Sequence, residues 1–145
     1  MPSTYRNAID GLKTVLGTAI TGPRAPRIYT YPADNVSEFP AIVLLPEDPL
    51  DYDVAFGGNT FEGTVRIVFL VGKADKPEAY ATLYDHMDPT EAGKSVKAAV
   101  ETDRSLNGAV DDAHVTRAEN VGRRQLWGGD YVGCDFILIF VATVA

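Results

Sequence analysis

The segment YVGCDFILIFVATV, residues 131 to 144, constrains the fold more than any other part of the chain. Read as a strand, it sets Val132, Cys134, Phe136, Leu138 and Phe140 in one row, with Ile137, Ile139 and Val141 in part of the other. Both rows are apolar, so both faces of this strand need cover. A chain end this apolar is expected to be tied into a sheet.

The other elements supply a frame for it. TFEGTVRIVFLVG, residues 60 to 72, sets Phe61, Val65, Ile67, Phe69 and Val71 against Glu62, Thr64 and Arg66. Its polar alternation fades toward the end, as in a strand passing from solvent into cover. AIVLL, residues 41 to 45, is apolar on both sides and hemmed by Pro40 and Pro46, which predicts a strand covered on two faces. IYTY, residues 28 to 31, is a short β-prone run. Residues 114 to 127 read as a polar strand ending in Trp127, with GGD at 128 to 130 as the hairpin turn.

Three stretches have helical spacing. Within residues 4 to 20, Tyr5, Ala8, Ile9, Leu12, Leu16, Ala19 and Ile20 share a face, while Gly11 and Gly17 weaken the helix. Residues 78 to 87 bring Tyr80, Leu83, Tyr84 and Met87 together. Residues 89 to 103 bury Ala92, Val96, Ala99 and Val100 and turn Lys94, Lys97, Glu101 and Arg104 outward. The expected order is α-β-β-β-α-α-β-β. Hairpin-joined strands with helices on one face make an α+β fold, mainly antiparallel. At 145 residues, a single domain over 1–145 is expected, with 46% hydrophobic and 23% charged residues, as in an ordinary globular protein.

Chemistry is harder to find. Gly93-Lys94-Ser95 matches the end of a phosphate-binding loop, but Asp88 stands where that pattern needs its first glycine, and a helix rather than a strand precedes it. The alternative is a helix start, with Asp88 as N-cap, Pro89 first in the helix and Glu91 closing a capping box. His86 sits near a helix end and His114 opens a strand. Neither has the neighbours of a metal site. Asp111 with Asp112, and His86 with Asp88, can be drawn as acid–base pairs, but acidic residues this common form such pairs by chance. Ser95 and Ser105 lack the glycine elbow of a nucleophile. Arg123 and Arg124 point to opposite faces of a strand, as salt-bridge or interface residues. Cys134, the single cysteine, excludes an internal disulfide and reads as a small buried side chain. No catalytic residue, metal or cofactor is expected.

The net charge of −7 and pI of about 4.7 argue against a sequence-specific nucleic-acid binder. The first residues lack the basic and apolar blocks of a secretory signal. The longest apolar run, FILIFVA at 136 to 142, is far short of the ~20 residues that span a membrane. The expectation is a soluble chain made in the cytoplasm.

Three features ask for a partner. The last strand has two apolar faces and helices for only one. Residues 46 to 59, PEDPLDYDVAFGGN, read as a long loop carrying Glu47, Asp48, Asp51 and Asp53 without a base. Tyr52, Phe56 and Trp127 lie in or beside turns, where an aromatic side chain either packs back or binds. An oligomer whose subunits complete each other's cores accounts for all three.

The whole pattern resembles a tail terminator protein of long-tailed (siphovirus-type) bacteriophages, actinobacteriophage-like in detail. RIYTYPADNVSEFPAIVLLPE resembles the family's early strand, Pro-rich loop and strand, and FEGTVRIVFLVG its long central strand. GKSVKAAVETDRSLNGAVDDAHVTRAENVG resembles its helix, L-x-G turn and following strand, and GGDYVGCDFILIFVA its closing hairpin. Nearly all of the chain is covered, by order and spacing rather than by one diagnostic motif. The resemblance implies a homo-hexameric ring in the virion that caps the finished tail tube, stops its polymerisation and offers a docking surface to the head. The implied partners are the major tail tube protein and the head–tail connector or stopper. DNA would pass through the lumen without specific binding, and no membrane is involved. It implies that Asp48, Asp51, Tyr52, Asp53 and Phe56 face the lumen or the adjoining ring. It also implies that Tyr80, Tyr84, Trp127, Ile139 and Phe140 lie at subunit contacts. A neck head-completion or stopper protein is the main alternative, and a small ligand-binding domain or enzyme a second.

Overall fold

The computed structural model describes residues 5–21, 25–32, 36, 38–52, 59–73, 77–91 and 93–143. Its elements are α1 (Tyr5–Ala19), β1 (Arg27–Tyr29), β2 (Ala41–Tyr52), β3 (Thr60–Lys73), α2 (Glu78–Met87), α3 (Val96–Thr102), β4 (Asp112–Leu126) and β5 (Gly129–Thr143). The order is the expected one, and the class is α+β. The five strands form one mixed sheet in the order β1-β2-β3-β5-β4. Only β1 and β2 run parallel, and the other neighbours are antiparallel.

The two-faced C-terminal strand lies inside the sheet, hydrogen-bonded to β3 on one side and β4 on the other. On one face, Val132, Cys134, Phe136, Leu138, Phe140 and Ala142 join Ile67 and Phe69 of β3 in the main core. All three helices press on that face, through residues such as Leu12 and Leu16, Leu83, and Val96 and Val100. Each buried side chain of this size contributes roughly 1.5–3 kcal/mol. Among the described residues the opposite face has no helix. A second cluster of Val36, Ala41, Val43, Val68, Leu70 and Tyr131 covers one end of it, with Phe39 and Trp127 packed alongside.

Three boundaries differ from the expectation. β2 does not stop at Leu45 but runs to Tyr52, so the first half of the supposed 46–59 loop is strand. Its partner β3 continues alongside it, and an irregularity between Glu47 and Asp51 absorbs the extra residues. Residues 53 to 58 lie outside the described residues. The second correction concerns α3, which starts at Val96 rather than Pro89. Asp88 does not start that helix but ends α2, its N–H donating to the Tyr84 carbonyl at 3.0 Å, and its carboxylate accepts from the Thr90 N–H (2.8 Å) and hydroxyl (3.0 Å), closing a local turn. Gly93 then takes φ +73°, which helical backbone does not allow, and Ser95 caps the helix by accepting from the Ala98 N–H at 3.0 Å. The serine of the apparent phosphate loop is therefore a helix cap. Ala92 lies outside the described residues. Third, the β4–β5 turn is Trp127–Gly128, both at positive φ, as a tight two-residue hairpin requires.

Two glycines of α1 separate helix propensity from packing. A Cβ on Gly11 would sit 2.0 Å from the Leu106 carbonyl oxygen, whereas one on Gly17 would meet only the Ile28 side chain at 3.6 Å. Removing a glycine from a helix interior ordinarily gains about 1 kcal/mol. Gly17→Ala should therefore stabilise the protein by about that amount, and Gly11→Ala should destabilise it despite the same gain in propensity. Urea denaturation of the two variants checks both signs.

Candidate interaction surface

The helix-free face is best built up row by row, because residues paired across a sheet point the same way. One row joins Asp51, Glu62, Val141 and Asp112 across β2, β3, β5 and β4. The next joins Glu47, Thr64, Ile139 and His114, and the next Leu45, Arg66, Ile137 and Arg117. Then come Val43, Val68, Asp135 and Glu119, followed by Ala41, Leu70, Gly133 and Gly122. The face thus has an acidic end, an ionic middle and an apolar end.

Asp135 holds the middle and is 1% exposed. Its carboxylate accepts from Arg66 Nη1 at 2.6 Å, Arg124 Nη1 at 2.6 Å and Asn120 Nδ2 at 3.0 Å. Arg66 also pairs with Glu47, and with Glu119 at 2.8 Å. Arg117 completes the group, 3.0 Å from Glu119. Asn120 reaches Asp135 because β4 is irregular between Glu119 and Gly122, where Asn120 takes φ +54° and Gly122 φ +117°. Burial alone would push the Asp135 carboxyl up. The donors from Arg124, Asn120 and Arg66 outweigh burial and hold it below the ordinary value. The same contacts overcome the burial that would lower Arg66 and leave its guanidinium more firmly protonated. A carboxyl held this way stays ionised near neutral pH, so it is a fixed charge and not a proton donor.

The acidic end is built differently. β1 pairs with β2 only over Ala41–Val43, so no strand borders the rest of β2 on that side among the described residues. There Asp48, Asp51, Leu50 and Tyr52 are exposed, Tyr52 at 72%. Asp51 lies directly across from Glu62, and like charges in that position are unfavourable.

The residues expected at contacts fall into separate places. Asp51 and the half-buried Ile139 share the acidic end, while Tyr52, the register partner of the core residue Phe61, points to the other side of the same arm. Asp53 and Phe56 lie outside the described residues. Tyr84 is 62% exposed on α2 and Tyr80 is half-buried against the main core, both on the helix side. Trp127 is packed on the second cluster, at the other end of the sheet. Phe140 requires a correction. It is fully buried, edge-on to Tyr5 and Phe61, with Gly63 leaving room for its ring, so it has no surface to give a partner. Both edges of the last strand are paired, so it reaches a neighbour through its helix-free face, where Ile139 and Val141 are half-buried and Thr143 is exposed. Asp111 accepts from the Thr143 hydroxyl at 2.5 Å and Asp112 is clasped by Arg104, so the two do not converge on a common site. Arg123 and Arg124 do diverge, to Asp130 and Asp135. Cys134 is buried, which pushes its thiol up to about 12.

Sequence reasoning missed the ionic middle. Its one visible signal was Asp135 itself, a lone acid in an apolar run at the same parity as Ile137 and Ile139. Among the described residues, no group of three or more His, Cys, Asp or Glu side chains is placed to hold a metal. No helix among them is long and apolar enough to cross a membrane.

Asp135→Asn removes the buried charge that two half-buried arginines share and should cost about 3 kcal/mol, the low end for breaking a buried pair. The depressed Asp135 carboxyl adds stability that is complete above its unfolded value of ~3.9 and is lost as pH falls through the lower folded value. Urea denaturation at neutral pH and below pH ~4 should show the wild type losing stability more steeply than Asp135→Asn.

No protein-family model matches this chain, and it has no significant match among curated proteins.

Proposed function

We propose that the chain is a tail-terminator-like structural protein of a long-tailed phage virion, acting as a homo-hexameric ring at the head-proximal end of the tail tube. Beyond the resemblance of the sequence, the observation that carries the reading is the outer half of β2. It is an acidic, tyrosine-bearing arm bordered by a strand on one side only among the described residues. Solvent-exposed Asp48 and Asp51 on such an arm suit a wall that duplex DNA passes without sticking, through like-charge repulsion. Exposed Tyr52 suits contact with an adjoining ring, because tyrosine supplies apolar area and a polar tip together. The mechanism is capping rather than catalysis. One ring face accepts the last ring of the tube protein, and the other offers the head connector a different surface.

The test is electron microscopy of the purified chain added to polymerising tail tube protein of the same phage. Six-fold rings at one tube end and arrested elongation are the expected result. Tubes that lengthen unchanged in excess of the chain overturn the reading, and binding to the neck adaptor instead of the tube would make it a stopper. Asp48→Lys combined with Asp51→Lys should leave folding intact, since both side chains are exposed, and should increase retention of duplex DNA at low salt.

A further inference from the structure

His86 lies on the last turn of α2 and is fully buried. Its ring is tilted against Phe69 of β3, with 4.5 Å between ring centroids. Nδ1 is 2.7 Å from the Lys94 carbonyl oxygen, so it carries the proton and donates it. Nε2 is buried with no partner among the described residues. The neutral ring thus ties α2 to the connection that leads into α3. That connection also holds the end of α1, because the Gly93 carbonyl accepts from the Thr21 N–H at 2.9 Å.

A second proton on this ring has no acceptor among the described residues. The charged groups acting on it are Asp85, on its own helix, and Lys94, on the connection, and these pair with each other at 3.4 Å. Beneath it, β3 presents Phe69, and β5 presents the register partner Cys134, whose thiol is neutral at physiological pH. Burial lowers the pKa of His86, and the bond to the Lys94 carbonyl and the charge of Asp85 offset this only in part.

We infer that His86 is a pH-sensitive latch: neutral, it holds the α2–α3 connection against the core, and protonated, it leaves its pocket and frees that connection. The inference does not depend on the phage reading. The sign follows from linkage. A buried histidine that resists protonation favours the latched state fully above its exposed value of ~6.5. It loses that preference as pH falls toward the lower folded value, by about tenfold per pH unit between the two.

The test is amide hydrogen exchange with a parallel NMR titration of the imidazole signals. Between about pH 7.5 and 5.5, after correction for intrinsic exchange, opening at the Thr90, Gly93, Lys94 and Ser95 amides should rise up to about tenfold. Amides of central β5 should not follow. His86 should titrate below ~6.5, in step with the amides. His86→Asn keeps a donor for the Lys94 carbonyl but cannot titrate, so its opening should not depend on pH, while His114→Asn should behave as wild type. Acceleration in wild type that does not track the His86 titration overturns the latch. So does equal acceleration in His86→Asn, or a His86 that titrates near ~6.5 with these amides unchanged.

Discussion

A carboxylate buried in the middle of a sheet has to be met by donors from its neighbours, and the helix-free face is organised around meeting Asp135. Its partners come from β3 and β4, and the salt bridges then spread to Glu47 on β2. Four strands are thereby joined across their side chains as well as their backbones. Such a network adds little net stability over well-packed apolar residues, but a change at one of the arginines leaves the buried Asp135 carboxylate short of donors. It therefore penalises other registers of β3, β4 and β5, because a slip of one residue would move Asp135 into the helix-facing core.

The two faces solve the same problem with different means. The helix side is covered by apolar side chains from three helices. The other side is covered by a small aromatic-rich cluster at one end and by guanidinium–carboxylate pairs in the middle. What is left is the acidic end, where the exposed carboxylates of β2 have no cation among the described residues. The chain answers its charges internally over most of this face and leaves them unanswered on one arm. That contrast makes the arm, rather than the ionic middle, the surface through which the proposed ring would meet DNA or a neighbour.

The helical residues between the strands carry a second division of labour. Ser95 caps α3, Gly93 breaks the chain into it, and the Lys94 carbonyl holds His86. A triplet that looks like a phosphate loop is thus fully used within the chain's own packing. Two cap signals, Asp88 and Ser95, compete within eight residues, and the left-handed glycine between them decides for the second.

Much of the fold was legible in the sequence because periodicity is local. The two apolar rows of β5, the face of α1, the alternation along β3 and the order of elements follow from spacing alone, as does the opposite aim of Arg123 and Arg124. The extension of β2 was not legible, since an acidic, proline-bearing stretch reads as loop until a partner strand is seen beside it. Nor was the burial of Phe140, because a two-faced strand does not say which row meets the helices. The ionic middle was the least accessible: Glu47, Arg66, Glu119 and Asp135 are far apart in the chain, and only the order β2-β3-β5-β4 brings them together. Sequence determined which residues must leave water, through the period of each element. Tertiary structure decided which charges meet, because pairing across a sheet depends on strand order and register, which no single segment encodes.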